Sequence, residues 1–370
     1  MHLYIHVPFC ARRCSYCDFA IAVRREVPSA AYADALRREW DEWRDSPEWS
    51  GFAALATLYL GGGTPSRLDP DVLARLLARI TGDRPLAAGA EVTLEANPED
   101  VTPDRARTWR GAGINRVSLG VQSFDPGVLA WMHRTHTADQ PARAVEVLRR
   151  AGIERISLDL IYALPPEVPR DWDRDLAQAL ALAPVHLSLY GLTVEQHTPL
   201  GRWVHRDEVH PVADDAYAAD FLAAHERLTA AGFRHYEVSN YAQPGHEAVH
   251  NSAYWTRSPY LGLGPSAHSG LRDRRWWNVR EYAAWVEAIG QGVSTIAGEE
   301  TLDREALELE RLYLGLRTDT GLSASLVPEA PRVTWVREGW ATIQAGQLRL
   351  TPEGWLRLDA LVAQAAGARG

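Results

Sequence analysis

Short runs of alternating apolar and polar residues recur along the chain, separated by longer runs with apolar residues at helical spacing. The alternating runs predict six strands, at 3–7, 55–60, 91–95, 114–122, 155–161 and 185–190. The segment 71–80 is typical of the intervening helices, because Leu73, Leu76 and Ile80 fall on one face. This alternation of strands and helices indicates an α/β fold with a parallel sheet and right-handed crossovers.

Each predicted strand has one apolar and one polar face. In the first strand, apolar residues at 3, 5 and 7 alternate with Tyr4 and His6. A flat doubly wound sheet is apolar on both faces, and a closed eight-stranded barrel is filled by branched apolar side chains. We therefore predict a partial, TIM-like (βα)6 barrel whose polar concave face surrounds a ligand. Polar residues near the carboxyl ends of strands are expected to face this ligand, including Glu95, Gln122 and Asp159.

The regular alternation fades after about residue 235. Helices are predicted around 280–289 and 303–316, followed by a hairpin that turns at Ala345-Gly346 and a last helix from Pro352. Helices with a hairpin resemble a winged-helix module, and we expect it to serve in packing or as a lid because this tail is not strongly basic. The predicted organisation is a barrel core (1–235), an accessory segment (236–300) and a C-terminal mixed, winged-helix-like module (301–370).

Composition narrows the class of protein. The 370 residues are 46% hydrophobic and 24% charged, which is typical of a folded globular protein. The net charge of −9 argues against a nucleic-acid-binding protein. No apolar run approaches the ~20 residues that cross a bilayer, and the first residues lack the features of a signal peptide. We expect a cytoplasmic protein.

The three cysteines of the chain lie close together, at Cys10, Cys14 and Cys17, directly after the first predicted strand. Such clustering without an export signal favours metal ligation over a disulfide framework. Three thiolates can hold three irons of a [4Fe–4S] cluster and leave the fourth iron open for a ligand. The alternative is a zinc site with His6 or Asp18 as the fourth ligand. The iron–sulfur interpretation is favoured, because no second Cys/His pair is evident near this loop.

A glycine-rich segment, Gly61-Gly62-Gly63-Thr64-Pro65, follows the second predicted strand on the same rim of the barrel. Glycines let a backbone approach a ligand closely and expose its amide groups. This segment and the C-x3-C-x2-C loop together resemble the radical S-adenosylmethionine (SAM) superfamily. The resemblance implies that the open iron binds SAM, that Gly62, Gly63 and Thr64 hold its amino group, and that electron transfer splits SAM to a 5′-deoxyadenosyl radical.

The resemblance covers nearly the whole chain and implies a SAM-binding role for residues on several predicted strands and loops. These are Tyr4 before the cysteine loop, Glu95 as a ribose or amino-group contact, Gln122 as a polar contact, Arg134 facing the SAM carboxylate, and Asp159 as a second ribose contact. All except Arg134 also lie on the polar strand face derived above, which supports assigning them the roles that the resemblance implies. Tyr16, one residue before the last cysteine, is placed to shield the cluster or to face an adenine ring.

Within the superfamily the chain resembles the coproporphyrinogen-dehydrogenase-like branch, which includes an anaerobic oxidase and a haem chaperone. The oxidases carry a further cysteine where this chain has Phe19, and an N-terminal extension that we do not expect here because the first strand starts at residue 3. The segment His250-Asn251-Ser252-Ala253-Tyr254-Trp255 is similar to an H-N-x-x-Y-W signature of the chaperones. His250 is therefore the predicted haem ligand, with Tyr254 and Trp255 as walls. His246 and His268 are further candidate ligands.

The resemblance thus implies a haem chaperone on a radical SAM scaffold that binds a [4Fe–4S] cluster, SAM and haem and delivers haem to acceptor haemoproteins such as respiratory enzymes. The alternative is an oxygen-independent coproporphyrinogen III oxidase, a radical SAM oxidative decarboxylase, so whether the protein is an enzyme is left open. An RNA-modifying radical SAM enzyme fits the acidic charge poorly, and no nucleic acid is expected as a partner. Contact with a membrane surface and a homodimer are also left open.

Overall fold

The computed structural model describes residues 1–368, and its main element is a mixed sheet of 12 strands. The strands are β1 (His2–Val7), β2 (Phe9–Cys10), β3 (Ala22–Val23), β4 (Leu55–Gly62), β5 (Leu86–Ala96), β6 (Arg116–Gln122), β7 (Arg155–Tyr162), β8 (His186–Gly191), β9 (Arg234–Glu237), β10 (Asn240–Ala242), β11 (Tyr260–Leu263), β12 (His268–Leu271), β13 (Arg274–Asn278), β14 (Ile296–Thr301), β15 (Leu322–Ser323), β16 (Ala341–Gln344) and β17 (Gln347–Leu350). The helices are α1 (Ser29–Arg44), α2 (Pro70–Asp83), α3 (Pro103–Gly111), α4 (Pro126–Trp131), α5 (Gln140–Arg150), α6 (Trp172–Ala181), α7 (Pro199–His205), α8 (Asp214–Ala230), α9 (Val249–Trp255), α10 (Tyr282–Gln291), α11 (Arg304–Leu316), α12 (Glu329–Arg337), α13 (Pro352–Trp355) and α14 (Leu358–Gly367).

The six predicted strands are β1 and β4 to β8, and they are adjacent and parallel in chain order. This arrangement confirms the α/β fold and the parallel sheet. Strand β5 is longer than predicted, since it begins at Leu86 rather than at 91. Parallel strands end at the same edge, so the loops after these six strands gather at one end of the barrel.

Strands from the second half of the chain extend this sheet on both sides. Beyond β1 lie β11, which is parallel to β1, and then the antiparallel β12, β13 and β14; beyond β8 lie β10 and β9. Within residues 1–368 the edge strands β14 and β9 do not pair with each other, so the barrel is open, as predicted. The predicted boundary at residue 235 falls inside β9, because the accessory segment continues the barrel sheet. The division into three units stays a prediction.

The outer face of the sheet forms the apolar core with the surrounding helices. Leu3 and Ile5 of β1 are fully buried there, as the alternation predicts. Local sequence sets the helix ends: before α2, the Asp69 carboxylate accepts a hydrogen bond from Val72 N at 2.9 Å, and Pro70 occupies the first turn. Helix α2 is therefore positioned by a cap at its start and by the apolar face that buries Leu73, Leu76 and Ile80.

The C-terminal residues form a small antiparallel sheet in the order β15-β17-β16, against which α11 and α12 pack. The hairpin between β16 and β17 turns at Ala345 and Gly346, as predicted, and their φ angles of 49° and 75° are typical of a type I′ turn. Arg317 joins this part to the barrel through an ion pair of 3.2 Å with the buried Glu237 of β9. No helix within residues 1–368 has both the length and the apolar character needed to span a bilayer.

Candidate functional site

A cavity of about 540 Å³ opens at the carboxyl ends of the barrel strands. Its walls include every predicted cofactor or metal residue except Tyr4 and His250. We call these wall residues the rim, and they are Cys10, Cys14, Tyr16, Cys17, Gly62, Gly63, Thr64, Glu95, Gln122, Arg134 and Asp159. The parallel strands bring together side chains that are far apart along the chain, because each of their loops reaches the same edge of the sheet.

The cysteine loop spans the short parallel strands β2 and β3, which hold its two ends together. The three thiols are partly exposed and form no disulfide. Thr64 Oγ1 donates to Cys10 Sγ at 3.4 Å, and Arg134 Nη1 donates to Cys14 Sγ at 3.7 Å. Burial raises the pKa of the Cys10 thiol, and it raises that of Cys17 to about 11. These two thiols must therefore release protons when they become metal ligands.

The donor set of this loop fits an iron–sulfur cluster better than a single ion. Each cysteine of a [4Fe–4S] cluster binds a different iron, so the thiols need not converge on one point. Within residues 1–368, no group of three or more His, Cys, Asp or Glu side chains converges closely enough for one metal ion. The ring nitrogens of His6 are already bonded to Tyr4 OH (3.1 Å) and Ala20 O (2.9 Å), and Asp18 is paired with Arg280 at 3.7 Å. Neither His6 nor Asp18 is therefore free to serve as the fourth ligand of a zinc ion.

The glycine segment at the end of β4 is held by hydrogen bonds to β1 and to Glu95 of β5. Gly63 N donates to Val7 O at 2.8 Å, and a side chain at Gly63 would come within 2.7 Å of the Pro8 carbonyl carbon. Gly62 has a φ of 107°, a conformation that favours glycine. Its N–H donates to Glu95 Oε2 at 3.0 Å. The glycines therefore allow β4 to pack against the start of the cysteine loop, which puts Glu95 and the thiols on one cavity.

Arg134 has an unfilled hydrogen-bonding position. Its Nη2 donates to Asn97 Oδ1 at 2.7 Å and to Gly120 O at 2.8 Å. Its Nε is buried and has no hydrogen-bond partner in the part of the chain that the structure describes. A buried guanidinium donor of this kind fits an anionic group such as a carboxylate. Asn97, which orients Arg134, is a site residue that the sequence analysis does not single out, since its only signal is an amide directly after a predicted strand.

Two carboxyl groups of the rim titrate closer to neutrality than usual. Burial raises the pKa of Glu95 to about 7 and that of Asp159 to about 6. Ser118 Oγ lies 2.9 and 3.0 Å from the two oxygens of Asp159 and donates to this carboxylate. Gln122 has a left-handed φ of 65° at an irregularity in the pairing of β6 with β7, and such strained positions cluster at functional sites. Ser118 is a further residue missed from sequence, although it lies on the predicted polar face.

Known proteins resemble this chain over most of its length. Residues 4–179 match the model of the radical SAM superfamily. The chain is 37% identical to the heme chaperone HemW of Mycobacterium tuberculosis, over 97% of this chain and 93% of the relative. The chain belongs to the HemW family of radical SAM proteins. It is also 40% identical to the heme chaperone HemW of Escherichia coli, over 72% of this chain and 69% of that relative. Membership of the superfamily implies a [4Fe–4S] cluster and SAM as cofactors.

Two further matches bear on the fold of this HemW-family chain. A mouse protein, radical S-adenosyl methionine domain-containing protein 1, mitochondrial, is 35% identical over 87% of this chain and 74% of its own length. The solved structure of coproporphyrinogen III oxidase (HemN) from Escherichia coli superposes with a TM-score of 0.83, covering 98% of this chain and 89% of that chain at 21% identity. At this identity the likeness shows the fold alone, and it confirms the radical SAM type of partial barrel.

Two predicted residues lie outside the wall of this cavity: Tyr4, midway along β1, and His250, beside Thr57 near the amino end of β4. His250 is only 1% exposed. Its Nδ1 is bonded to Thr57 Oγ1 at 2.6 Å and its Nε2 to Tyr254 OH at 2.8 Å, and Tyr59 stacks on its ring at a centroid distance of 4.9 Å. Burial lowers the pKa of His250 to about 3. We call Tyr4, Thr57, Tyr59 and His250 the floor of the barrel.

The H-N-x-x-Y-W residues of this HemW-family chain lie on α9, and the structure does not bring His250 together with the rim. In this arrangement His250 has no nitrogen free for iron, because both ring nitrogens already have partners. Its role as a haem ligand stays a prediction, one that requires the ring to leave these bonds. Trp255 lies under the Arg317 guanidinium, 4.5 Å from the ring centroid, and lines no cavity described here. Tyr254 lines a smaller cavity that adjoins the rim.

Proposed function

We propose that this protein binds haem and transfers it to acceptor haemoproteins, with a [4Fe–4S] cluster held by Cys10, Cys14 and Cys17 and with SAM beside it. The observation that carries the proposal is the similarity to proteins named heme chaperone HemW over 97% of the chain, together with a cavity in which the three cysteines share a wall. Respiratory enzymes stay the predicted acceptors. A cytoplasmic location is proposed as well, since three unpaired cysteines suit a reducing compartment.

The rim residues suggest how the cofactors would be held. The unpartnered Nε of Arg134 suits the carboxylate of SAM. Glu95 and Asp159 are hydrogen-bond acceptors for its amino group and its ribose hydroxyls, and the backbone of Gly62 to Thr64 supports the amino end. When bound, the cluster supplies one electron to SAM.

The second candidate is an oxygen-independent coproporphyrinogen III oxidase. The superposition on HemN favours it only at the level of fold, because 21% identity carries no activity across. Phe19 stands where the resemblance implies a further cysteine in the oxidases. The chaperone function is therefore the better supported of the two. Contact with a membrane surface and a homodimer stay predictions.

One experiment separates the two candidates. The chain is reconstituted anaerobically with iron and sulfide, titrated with haem, mixed with an apo-haemoprotein, and assayed separately on coproporphyrinogen III with SAM. We expect a Soret band that saturates at one haem per chain, transfer of that haem, and no decarboxylated product. Decarboxylation without saturable haem binding would replace the chaperone with the oxidase.

A further inference from the structure

A second cavity, of about 370 Å³, adjoins the rim. Asp18, Phe19, Gly62 and Glu95 line both cavities, so the two are contiguous around the cysteine loop. The far side of the second cavity is formed by Tyr254 of α9, Tyr260 of β11, His268 of β12, and Ser266 and Arg280 from the adjoining loops. The wall nearest the cysteines and the wall from the H-N-x-x-Y-W helix therefore meet across one space.

An imidazole without hydrogen-bond partners faces this space. His268, the first residue of β12, is exposed, and its ring stacks on Trp277 at a centroid distance of 5.8 Å and an interplanar angle of 26°. Neither ring nitrogen of His268 has a hydrogen-bond partner within residues 1–368, whereas both nitrogens of His6 and of His250 are engaged. Partial burial lowers the pKa of His268 and thereby favours the neutral ring, whose lone pair can bind a metal.

The remaining walls offer aromatic faces and a cation. Phe19 is 63% exposed although it is a large apolar side chain. Tyr254 and Tyr260 pack edge to face at a centroid distance of 4.8 Å. Arg280 Nη2 donates to Asp18 O at 2.8 Å and lies 3.7 Å from the Asp18 carboxylate, and the side chain is 57% exposed, so its other N–H groups can donate to a further carboxylate. A free imidazole, flat apolar surfaces and a guanidinium are the groups that would recognise an iron porphyrin with propionate side chains.

We propose that the second cavity is a haem subsite, in which His268 is the axial ligand of the iron and Arg280 contacts a propionate. The inference rests on the proposed haem binding and names the residues that perform it. A lone pair of the neutral His268 ring forms the bond to iron and displaces a weakly held ligand such as water, with no change in oxidation state. Because His268 and Arg280 are exposed, one edge of the porphyrin stays open to solvent and hence to an acceptor protein.

The test compares His268→Ala with His205→Ala, a matched control on α7, where His205 is exposed and lines neither cavity. Haem affinity is measured by titration and axial ligation by the position of the Soret band. We expect His268→Ala to weaken haem binding by roughly tenfold or more and to shift the band, with imidazole in solution restoring it, while His205→Ala behaves as the unmodified chain. Because both side chains are exposed, the unfolding midpoints and iron contents should not change.

The propionate contact has its own measurement. Arg280→Gln should weaken the binding of haem by about threefold, but it should not affect the dimethyl ester of haem, which has no free carboxylates. Saturable haem binding that is unchanged in His268→Ala would overturn the subsite and leave the proposed function standing. Absence of saturable haem binding in the unmodified chain would overturn the proposed function, and the subsite with it. Equal losses in His268→Ala and His205→Ala would show adventitious binding to surface histidines and would also overturn the subsite.

Discussion

The rim and the floor of the barrel interior carry the same kinds of polar side chain but differ in whether those side chains border the open cavity. At the floor, His250 and Thr57 use their hydrogen-bonding groups on one another and on neighbouring rings, and they are buried. At the rim, Arg134 keeps a buried Nε without a partner inside residues 1–368, and Glu95 and Asp159 border an open cavity. A buried donor without a partner beside an open cavity is available to a ligand, which is why we expect ligands at the rim and not at the floor.

The difference teaches that residue type and strand phase do not by themselves identify a functional side chain. Histidine is a common metal ligand, yet His250 contributes to the polar packing of the interior in this structure. His268, which the sequence analysis names only as a further candidate ligand, has no hydrogen-bond partner on either ring nitrogen among residues 1–368. The comparison predicts that changes at the rim remove cofactors and leave stability intact, whereas changes at the floor remove stability.

The largest expected effect is at the cysteines. Replacing any one of Cys10, Cys14 or Cys17 by Ala should abolish cluster binding, because two thiolates cannot hold the three irons. Iron and acid-labile sulfide per chain should fall from about four each to nearly none after reconstitution. Arg12→Ala, on the same loop, should leave both at the unmodified level. One zinc per chain without sulfide would refute the assignment.

At the floor, His250→Ala should lower the free energy of unfolding by about 2–4 kcal/mol, because it leaves the hydroxyls of Thr57 and Tyr254 unpaired and opens a cavity. The measurement is equilibrium unfolding in urea, with His268→Ala as the matched exposed control, which should change it by less than about 0.5 kcal/mol. If the two variants proved equally stable, His250 and its partners at the floor would not be needed for the stability of the fold.

Arg134→Lys tests whether the guanidinium at the rim contacts SAM. Lysine keeps the positive charge but lacks the fork that holds Asn97 and Gly120 while presenting Nε to a ligand. SAM affinity should fall by about 1.5–3 kcal/mol, as measured by calorimetry on cluster-loaded protein. Iron content is determined in parallel, because Arg134 also contacts Cys14. Unchanged affinity at full iron content would separate Arg134 from SAM binding.

The smallest expected effect is a pH dependence of SAM binding. In the free protein the raised pKa values, about 7 for Glu95 and about 6 for Asp159, keep part of these carboxyl groups protonated below neutrality. A protonated carboxyl cannot accept from an ammonium or a hydroxyl with full strength, so affinity should rise with pH through this range and level off above it. The gain between pH 6 and pH 8 should be up to about tenfold, and Glu95→Gln should remove most of it. A flat profile in the unmodified chain would contradict the carboxylate contacts.

Local pattern alone determined the six parallel strands, their polar inner face, the cysteine loop and the rim residues at strand ends, whereas Arg134 and the roles of the rim residues came from the resemblance to the radical SAM superfamily. Period-two alternation and parallel pairing send every polar residue at a strand end to one edge, so Glu95, Gln122 and Asp159 were predictable without contacts. The cysteines were predictable because their ligand spacing lies within one loop.

Tertiary structure decided what depends on partners distant along the chain. The bond that occupies His250 comes from Thr57, 193 residues away, and Arg134 reaches the rim through Asn97 and a loop after α4. Strands β9 to β14, between residues 234 and 301, join the barrel sheet at its two edges, which no periodicity indicates. Hydrogen-bond satisfaction is a property of the packed structure, because a side chain's partners are chosen by the elements folded against it. For this reason only the structure separated the histidine that packs from the histidine that is free to bind.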